Sequence, residues 1–177
     1  MVLRKYTSTW IKSFTDVKCE IETVLDGIHY DIEHVGSTSV PRLDSKPVID
    51  IDIIYYDLSD FEIIKARLKK LGYYHNGNQG IQDRDVFKRD GKWSHEILDT
   101  IAHHLYACPA GSKALERHVL FRNFLRKAEW ARLKYQQLKY DLADKANQDR
   151  KLYAALKELH VNNFIDSIIE AEKTNAQ

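Results

Sequence analysis

The stretch IEHVGSTSVPRLDSKPVIDIDIIYY, residues 32–56, decides the fold. It reads as a short strand, a tight turn of small and hydroxyl residues, an irregular loop holding Pro41 and Pro47, and a second, strongly apolar strand. Side chains alternate faces along a strand, so Asp50 and Asp52 project from one side while Ile49, Ile51 and Ile53 point to the other. Two carboxylates therefore face one spot.

That arrangement suits a hard divalent cation, because Mg²⁺ takes oxygen ligands and is held by one or two carboxylates together with phosphate oxygens and water. Gly36 and Ser37 supply the other half of such a site. Glycine lets the main chain approach a ligand closely, and amides with a hydroxyl at a helix start can hold phosphate oxygens. An Asp-Ile-Asp-Ile run is also what a half-solvated strand looks like, so the turn, the loop and the strand point to a nucleotide-type site only in combination.

Outward from this stretch, residues 10–26 place Ile11, Phe14, Val17, Ile21, Val24 and Leu25 at helical spacing, with Ser8 or Thr9 as cap. Asp26-Gly27 ends this helix, a buttress, and Ile28 to Val35 alternates as a strand. Downstream, Ser59 is placed to cap a helix striped by Phe61, Ile64, Leu68 and Leu71 and closed by Gly72. Asn76 to Gly80 reads as a loop, and Arg84–Arg89 and Ser94–Cys108 as further strands. Three helices follow, striped by Leu115, Val119 and Phe124, by Ala131, Tyr135, Leu138 and Leu142, and by Tyr153, Leu156, Phe164 and Ile168. The order predicts an α/β (α+β) fold in one domain over residues 1–177. Its strand-rich core spans about 28–108 and its C-terminal helical bundle about 111–174.

At 177 residues, with 44% apolar and 30% charged side chains, the chain is long enough to close a core and has globular composition. A net charge of +1 argues against nucleic acid as a general partner. The charge is unevenly spread: residues 1–60 carry 6 basic and 11 acidic side chains, and residues 112–157 carry 12 basic and 5 acidic. An acidic half and a basic helical half facing across a cleft could clamp a polyphosphate. Cys19 and Cys108 make no disulfide framework and no metal pattern, and Cys108 follows an apolar run as a small buried residue would. The N-terminus has no apolar signal core and no run reaches membrane-spanning length, which predicts a cytoplasmic protein without membrane contact.

His34-Val35-Gly36-Ser37-Thr38-Ser39-Val40-Pro41, Lys46-Pro47-Val48-Ile49-Asp50-Ile51 and Phe121-Arg122-Asn123-Phe124-Leu125-Arg126 resemble the GrpB family, of the DNA polymerase β-like nucleotidyltransferase superfamily. The resemblance runs from about Tyr6 to the last helix. It implies a nucleotidyltransferase-like mixed sheet with flanking helices, and it defines the fold better than the reaction. Four positions depart from the family pattern: Tyr106 stands for the last histidine of a His-Leu-His strand, Asn123 for an aspartate, Arg42 for the glycine after Val-Pro, and His160 for a phenylalanine. His160 is expected to face the core, as a lone histidine at an apolar helix position usually does.

The resemblance implies that Asp50 and Asp52 are the catalytic, metal-binding carboxylates, with Mg²⁺ as cofactor. Superfamily members add a third acidic residue from a neighbouring strand. His104 is the first candidate here and Asp99 the second, although imidazole is a softer ligand than Mg²⁺ selects. Gly36, Ser37 and Thr38 are expected at the phosphates, with Lys46, Arg122 and Lys139 as cations; Arg122 could equally form an ion pair with a strand carboxylate. His34, Arg117 and His118 are further candidates, and His34 could as well brace the loop. The expected ligand is a nucleoside triphosphate or another phosphorylated small molecule. The protein would either transfer a nucleotidyl group to an unknown acceptor or, lacking a third carboxylate, sense a nucleotide or coenzyme without turnover. GrpB-like domains joined to dephospho-coenzyme A kinase favour the second reading.

Overall fold

The structure, a computed structural model, describes residues 1–175. Its centre is the strand that carries the two aspartates, β2 (Ile49–Tyr55), paired antiparallel to β1 (Tyr30–Val35) on one side and parallel to β5 (His103–Pro109) on the other. Beyond β5 lie β4 (Asp85–Arg89) and then β3 (Tyr73–His75), both antiparallel to their neighbours. The five-stranded mixed sheet has the order β1-β2-β5-β4-β3.

The alternation in β2 sorts the two faces. Ile49, Ile51 and Ile53 are buried among Val17, Ile21 and Leu25 from the α1 region (helix Thr9–Glu22) and Ile64 and Leu68 of α2 (Asp60–Leu68). Helix α1 is the expected buttress, although its inner face uses Trp10 and leaves Ile11 exposed. The opposite face carries Asp50, Asp52 and Ile54. Ile54 packs with Cys108 and Leu115, which fixes α4 (Lys113–Lys127) to this side of the sheet. Helices α5 (Glu129–Lys145) and α6 (Arg150–Asn175) complete a second core around Tyr135, Leu142, Tyr153 and Val161, closed by Val40 and Leu43 of the β1–β2 loop.

Several local expectations need correction. Ser94–Cys108 is not one strand: Glu96–Thr100 forms a short helix, α3, before β5 begins. Its Ile97, Leu98 and Ile101 stand at i, i+1 and i+4, a helical spacing confined to little more than one turn and run together with the strand that follows. Ser59 does not cap α2 with its side chain; Asp57 Oδ1 accepts from the Ser59 amide at 2.8 Å and from its hydroxyl at 2.7 Å. His160 is exposed rather than core-facing. The residues after Gly36 form a single 3₁₀ turn, Ser37–Ser39, so no helix dipole stands behind them. By contrast Gly72 closes its helix as expected at φ +78°, and Ser112 caps α4 by accepting from the Leu115 amide. Among the described residues no helix is long and apolar enough to cross a membrane.

Candidate functional site

Strand register brings the chemistry together. On β1, Val35 stands opposite Asp50 and Glu33 opposite Asp52; on β5, His104 stands opposite Asp50 and Tyr106 opposite Asp52. Directly paired residues share a face, so both aspartates, the glutamate, the imidazole and the phenol look toward α4 and α6. Asp52 is fully buried and Asp50 half-buried. His104 Nδ1 lies 2.9 Å from Asp50 Oδ1, and His118 Nδ1, from α4, lies 2.8 Å from Asp52 Oδ2. Burial pushes the Asp50 carboxyl up, but the hydrogen bond and charge of His104, followed by Lys157 and His118, outweigh it and hold the group below its ordinary value. Asp50 is thus an anion at neutral pH.

The turn after β1 is fitted to that anion. Gly36 sits at φ +69°, ψ −172°, and a Cβ built there would stand 2.1 Å from Asp50 Oδ2. Only glycine tolerates both the backbone angle and the contact. His34 braces the turn instead of facing a ligand: its ring stacks on Phe14 at 4.7 Å, and Nε2 is 3.0 Å from Thr38 Oγ1, whose hydroxyl donates to the Val48 carbonyl. Thr38 is buried by this chain of bonds. Ser37 is left as the hydroxyl of this turn that lines the cavity.

Between the sheet and α6 runs a cleft of two lobes, about 330 and 560 Å³, in the size range of small-molecule sites. They meet at Ser37, Asp50, Tyr106 and Lys157. Lys46 lines the smaller lobe and has no ion pair among the described residues. Lys157 is held above its usual pKa by Tyr135 and further by Tyr153 and Asp50, against the opposing effect of burial.

The structure gathers Gly36, Ser37, Lys46, Asp50, His104 and His118 at this cleft, with Lys139 and Arg117 also in its lining, and leaves Asp52, His34, Thr38 and Arg122 out of it. Arg122 is buried in a bond to Glu33 Oε2 and, at 2.9 Å, to the His34 carbonyl, so it ties α4 to β1. Lys139 lies at the base of the smaller lobe, 1% exposed; its ammonium donates to the Asp44 carbonyl and stands 4.8 Å over the Tyr135 ring. Burial, with Lys157 nearby, pushes its pKa well down. Arg117 reaches the larger lobe while held by Asp166 and Asn162 of α6. Asp99 sits on α3, 3.0 Å from Arg89 Nε, away from the lining of either lobe. Sequence reasoning missed Glu33, Arg84 and Lys157. Of these only Glu33 carried a signal, its parity with Val35 on an alternating strand.

Among the described residues no three His, Cys, Asp or Glu side chains group into a metal cage. The donors instead fit a cation that takes two protein carboxylates and completes its shell with phosphate oxygens and water, as Mg²⁺ does. Asp52 Oδ1 is buried without a hydrogen-bond partner, and Asp50 Oδ2 faces the close-approaching backbone of Gly36. A buried carboxylate oxygen left unpaired is costly unless something occupies it. His104 stands beside Asp50 as its partner, and Tyr106 is the residue of β5 opposite Asp52. No third carboxylate joins the pair from β5.

Known proteins share this architecture. A crystal structure of the conserved protein GrpB from Enterococcus faecalis superimposes with a TM-score of 0.78 at 26% identity, covering 99% of this chain and 100% of that one. Cid1, solved in complex with its short product ApU, matches 79% of this chain and 42% of its own with a TM-score of 0.50 at 10% identity, a likeness of fold alone. The fold is nucleotidyltransferase-like. Among curated proteins, UPF0157 protein YqkA of Bacillus subtilis is 31% identical over 138 residues, 78% of this chain but only 38% of that protein. Glutamate-rich protein GrpB of Alkalihalophilus pseudofirmus is 29% identical over 170 residues, 96% of this chain and 94% of that protein. The GrpB protein family model matches residues 1–170, and the chain belongs to that family.

Proposed function

We propose that the protein binds a nucleoside triphosphate, or a related phosphorylated small molecule, together with Mg²⁺ held by Asp50 and Asp52, in the cytoplasm and without membrane contact. The observation that carries this reading is the Asp50 carboxylate, which lines both lobes against Gly36, with Asp52 behind it on the same strand face, its Oδ1 buried and unpaired. Ser37 and Lys46 line the smaller lobe with Asp50 and would meet the phosphate oxygens there. The bound cation would neutralise phosphate charge. In a transfer reaction a hydroxyl or amine bonds to the α-phosphorus as the bond to pyrophosphate breaks, with loss of the acceptor's proton to solvent.

A second reading, a nucleotide- or coenzyme-sensing module without turnover, is favoured by the positions of His104 and Tyr106. A β5 carboxylate would add negative charge beside Asp50 and Asp52, whereas an imidazole and a neutral phenol add none, and Glu33 of β1 on the same face is bonded to Arg122. Thermal-shift titration with each nucleoside triphosphate, with and without Mg²⁺, tests binding, because a ligand for the native state alone raises its melting temperature. A Mg²⁺-dependent shift abolished by Asp50→Asn is the expected result. Pyrophosphate release in an acceptor screen then selects transfer, and its absence selects sensing. No shift with any nucleotide overturns both.

A further inference from the structure

The larger lobe contains a cation that the nucleotide reading does not use. Arg84, immediately before β4, lays its guanidinium over the Tyr106 ring, with Cζ 4.8 Å from the centroid. Its Nε is buried and has no hydrogen-bond partner. Two of the other cations lining this lobe are engaged, Arg117 by Asp166 and His118 by Asp52, and the remaining one, Lys157, stands where the two lobes meet. A guanidinium placed over an aromatic face can still offer its N–H edge to a planar oxyanion, and an unsatisfied buried N–H is a cost that such a partner removes. The lining of this lobe is mixed: Ile81, Phe121 and Ile165 supply apolar surface, and Asp50 and Glu158 are the carboxylates among its polar groups.

We propose that the lobe floored by Arg84 and Tyr106 is a second-substrate pocket for a small organic anion, whose carboxylate or phosphate pairs with the Arg84 guanidinium while its apolar body lies against Phe121 and Ile81. The assignment rests on the proposed function in one respect: it makes the partner of the nucleotide an anion. Because this lobe meets the smaller one at Asp50 and Ser37, a ligand here lies next to the carboxylate pair. The 560 Å³ volume admits a molecule of roughly metabolite size.

The test uses phenyl phosphate and benzoate as probes, without Mg²⁺ or nucleotide, on the full chain. Nitrogen-15 spectra of the wild type follow the Arg84 Nε–H resonance, and calorimetric titration compares wild type, Arg84→Lys and Arg84→Gln. The expected result is a saturable shift of that resonance by at least one probe, with affinity at least about tenfold weaker in Arg84→Gln, as loss of a charge-assisted hydrogen bond implies. Arg84→Lys keeps charge without the fork and should fall between. The stronger probe identifies the ligand as a phosphate ester or a carboxylate. Equal binding by wild type and Arg84→Gln, or no saturable binding of either probe, overturns the proposal. The two readings fail separately: a Mg²⁺-nucleotide thermal shift that survives in Arg84→Gln while both probes fail removes only this pocket. Arg84-dependent probe binding without any nucleotide shift removes only the nucleotide site.

Discussion

Gly36 and Asp50 are so closely apposed that position 36 cannot carry a side chain: a Cβ there would stand 2.1 Å from Asp50 Oδ2 and 2.8 Å from its Cγ. Gly36→Ala must therefore displace the carboxylate, and it also places a substituted residue at φ +69°, ψ −172°, a region costing about 1–3 kcal/mol for any residue but glycine. The expected outcome is a lower urea midpoint together with loss of any Mg²⁺-dependent nucleotide shift. A variant that loses stability yet keeps the full shift would mean that the position of Asp50 does not matter to binding.

Six residues further on, the same loop carries the opposite case. Arg42 is exposed and sits at φ +64°, in the left-handed region that favours glycine. An L-residue in left-handed backbone carries a penalty of about 1–2 kcal/mol, partly offset because glycine gains entropy in the unfolded chain. Arg42→Gly is expected to raise stability by about 0.5–1 kcal/mol, read from the urea midpoint at unchanged slope. A midpoint that falls would show that the arginine side chain makes a compensating contact.

These two positions also mark what the chain disclosed before its structure. Period-two alternation and a glycine before small hydroxyl residues are local signals, so the Asp50–Asp52 face and the turn were legible. The partners of that face were not. His118 meets Asp52 across 66 positions of sequence, and Arg84 reaches Tyr106 through a pairing of β4 and β5 that no short turn announces. Residue type left alternatives that only packing resolves: Arg122, readable as a phosphate ligand or as the partner of a strand carboxylate, meets Glu33, and Lys139 meets a backbone carbonyl. Charge in a sequence says what a residue can bind, whereas topology says what it meets first.

His34 gives the fold a pH dependence. Burial, aided by Arg126 and Arg122 and opposed by Asp50, lowers its pKa from 6.5 to about 4. Between those values the unfolded chain binds the proton and the folded one does not, so stability is complete above about pH 6.5 and falls as the pH drops toward 4. The full difference amounts to roughly 3 kcal/mol. His34→Gln, which retains an N–H for Thr38, should flatten this limb when urea midpoints are measured from pH 7 to pH 4. Parallel curves for the two proteins would remove His34 as the source.

The Arg122–Glu33 pair is asymmetric. Arg122 is buried, whereas the Glu33 side chain is 39% exposed. Arg122→Ala leaves the His34 carbonyl without its donor and frees α4 from β1, with an expected loss of about 2–3 kcal/mol. Glu33→Gln keeps the packing and should cost less than about 1 kcal/mol, since water screens that carboxylate. Equal losses would place the energy in the ion pair. An Arg122→Ala protein of normal stability that no longer responds to Mg²⁺ and nucleotide would make Arg122 a ligand contact after all.

Lys139 offers a test at the alkaline end. It is enclosed between Tyr135 and the Asp44 carbonyl, and burial together with Lys157 depresses its pKa well below 10.5 more than the Asp44 carboxylate raises it. Below pH 10.5 the unfolded chain therefore holds a proton that the folded state resists, which makes the wild type gain stability as the pH rises toward that value. Methionine has a similar shape and no charge to titrate, so Lys139→Met should lose ground relative to wild type across the same range. Other groups titrating in both proteins cancel in the difference. Unfolding midpoints measured from pH 7 to pH 10 that keep a constant separation would mean that Lys139 stays protonated in the fold, and a charged lysine at the base of the smaller lobe would then return as a candidate for phosphate.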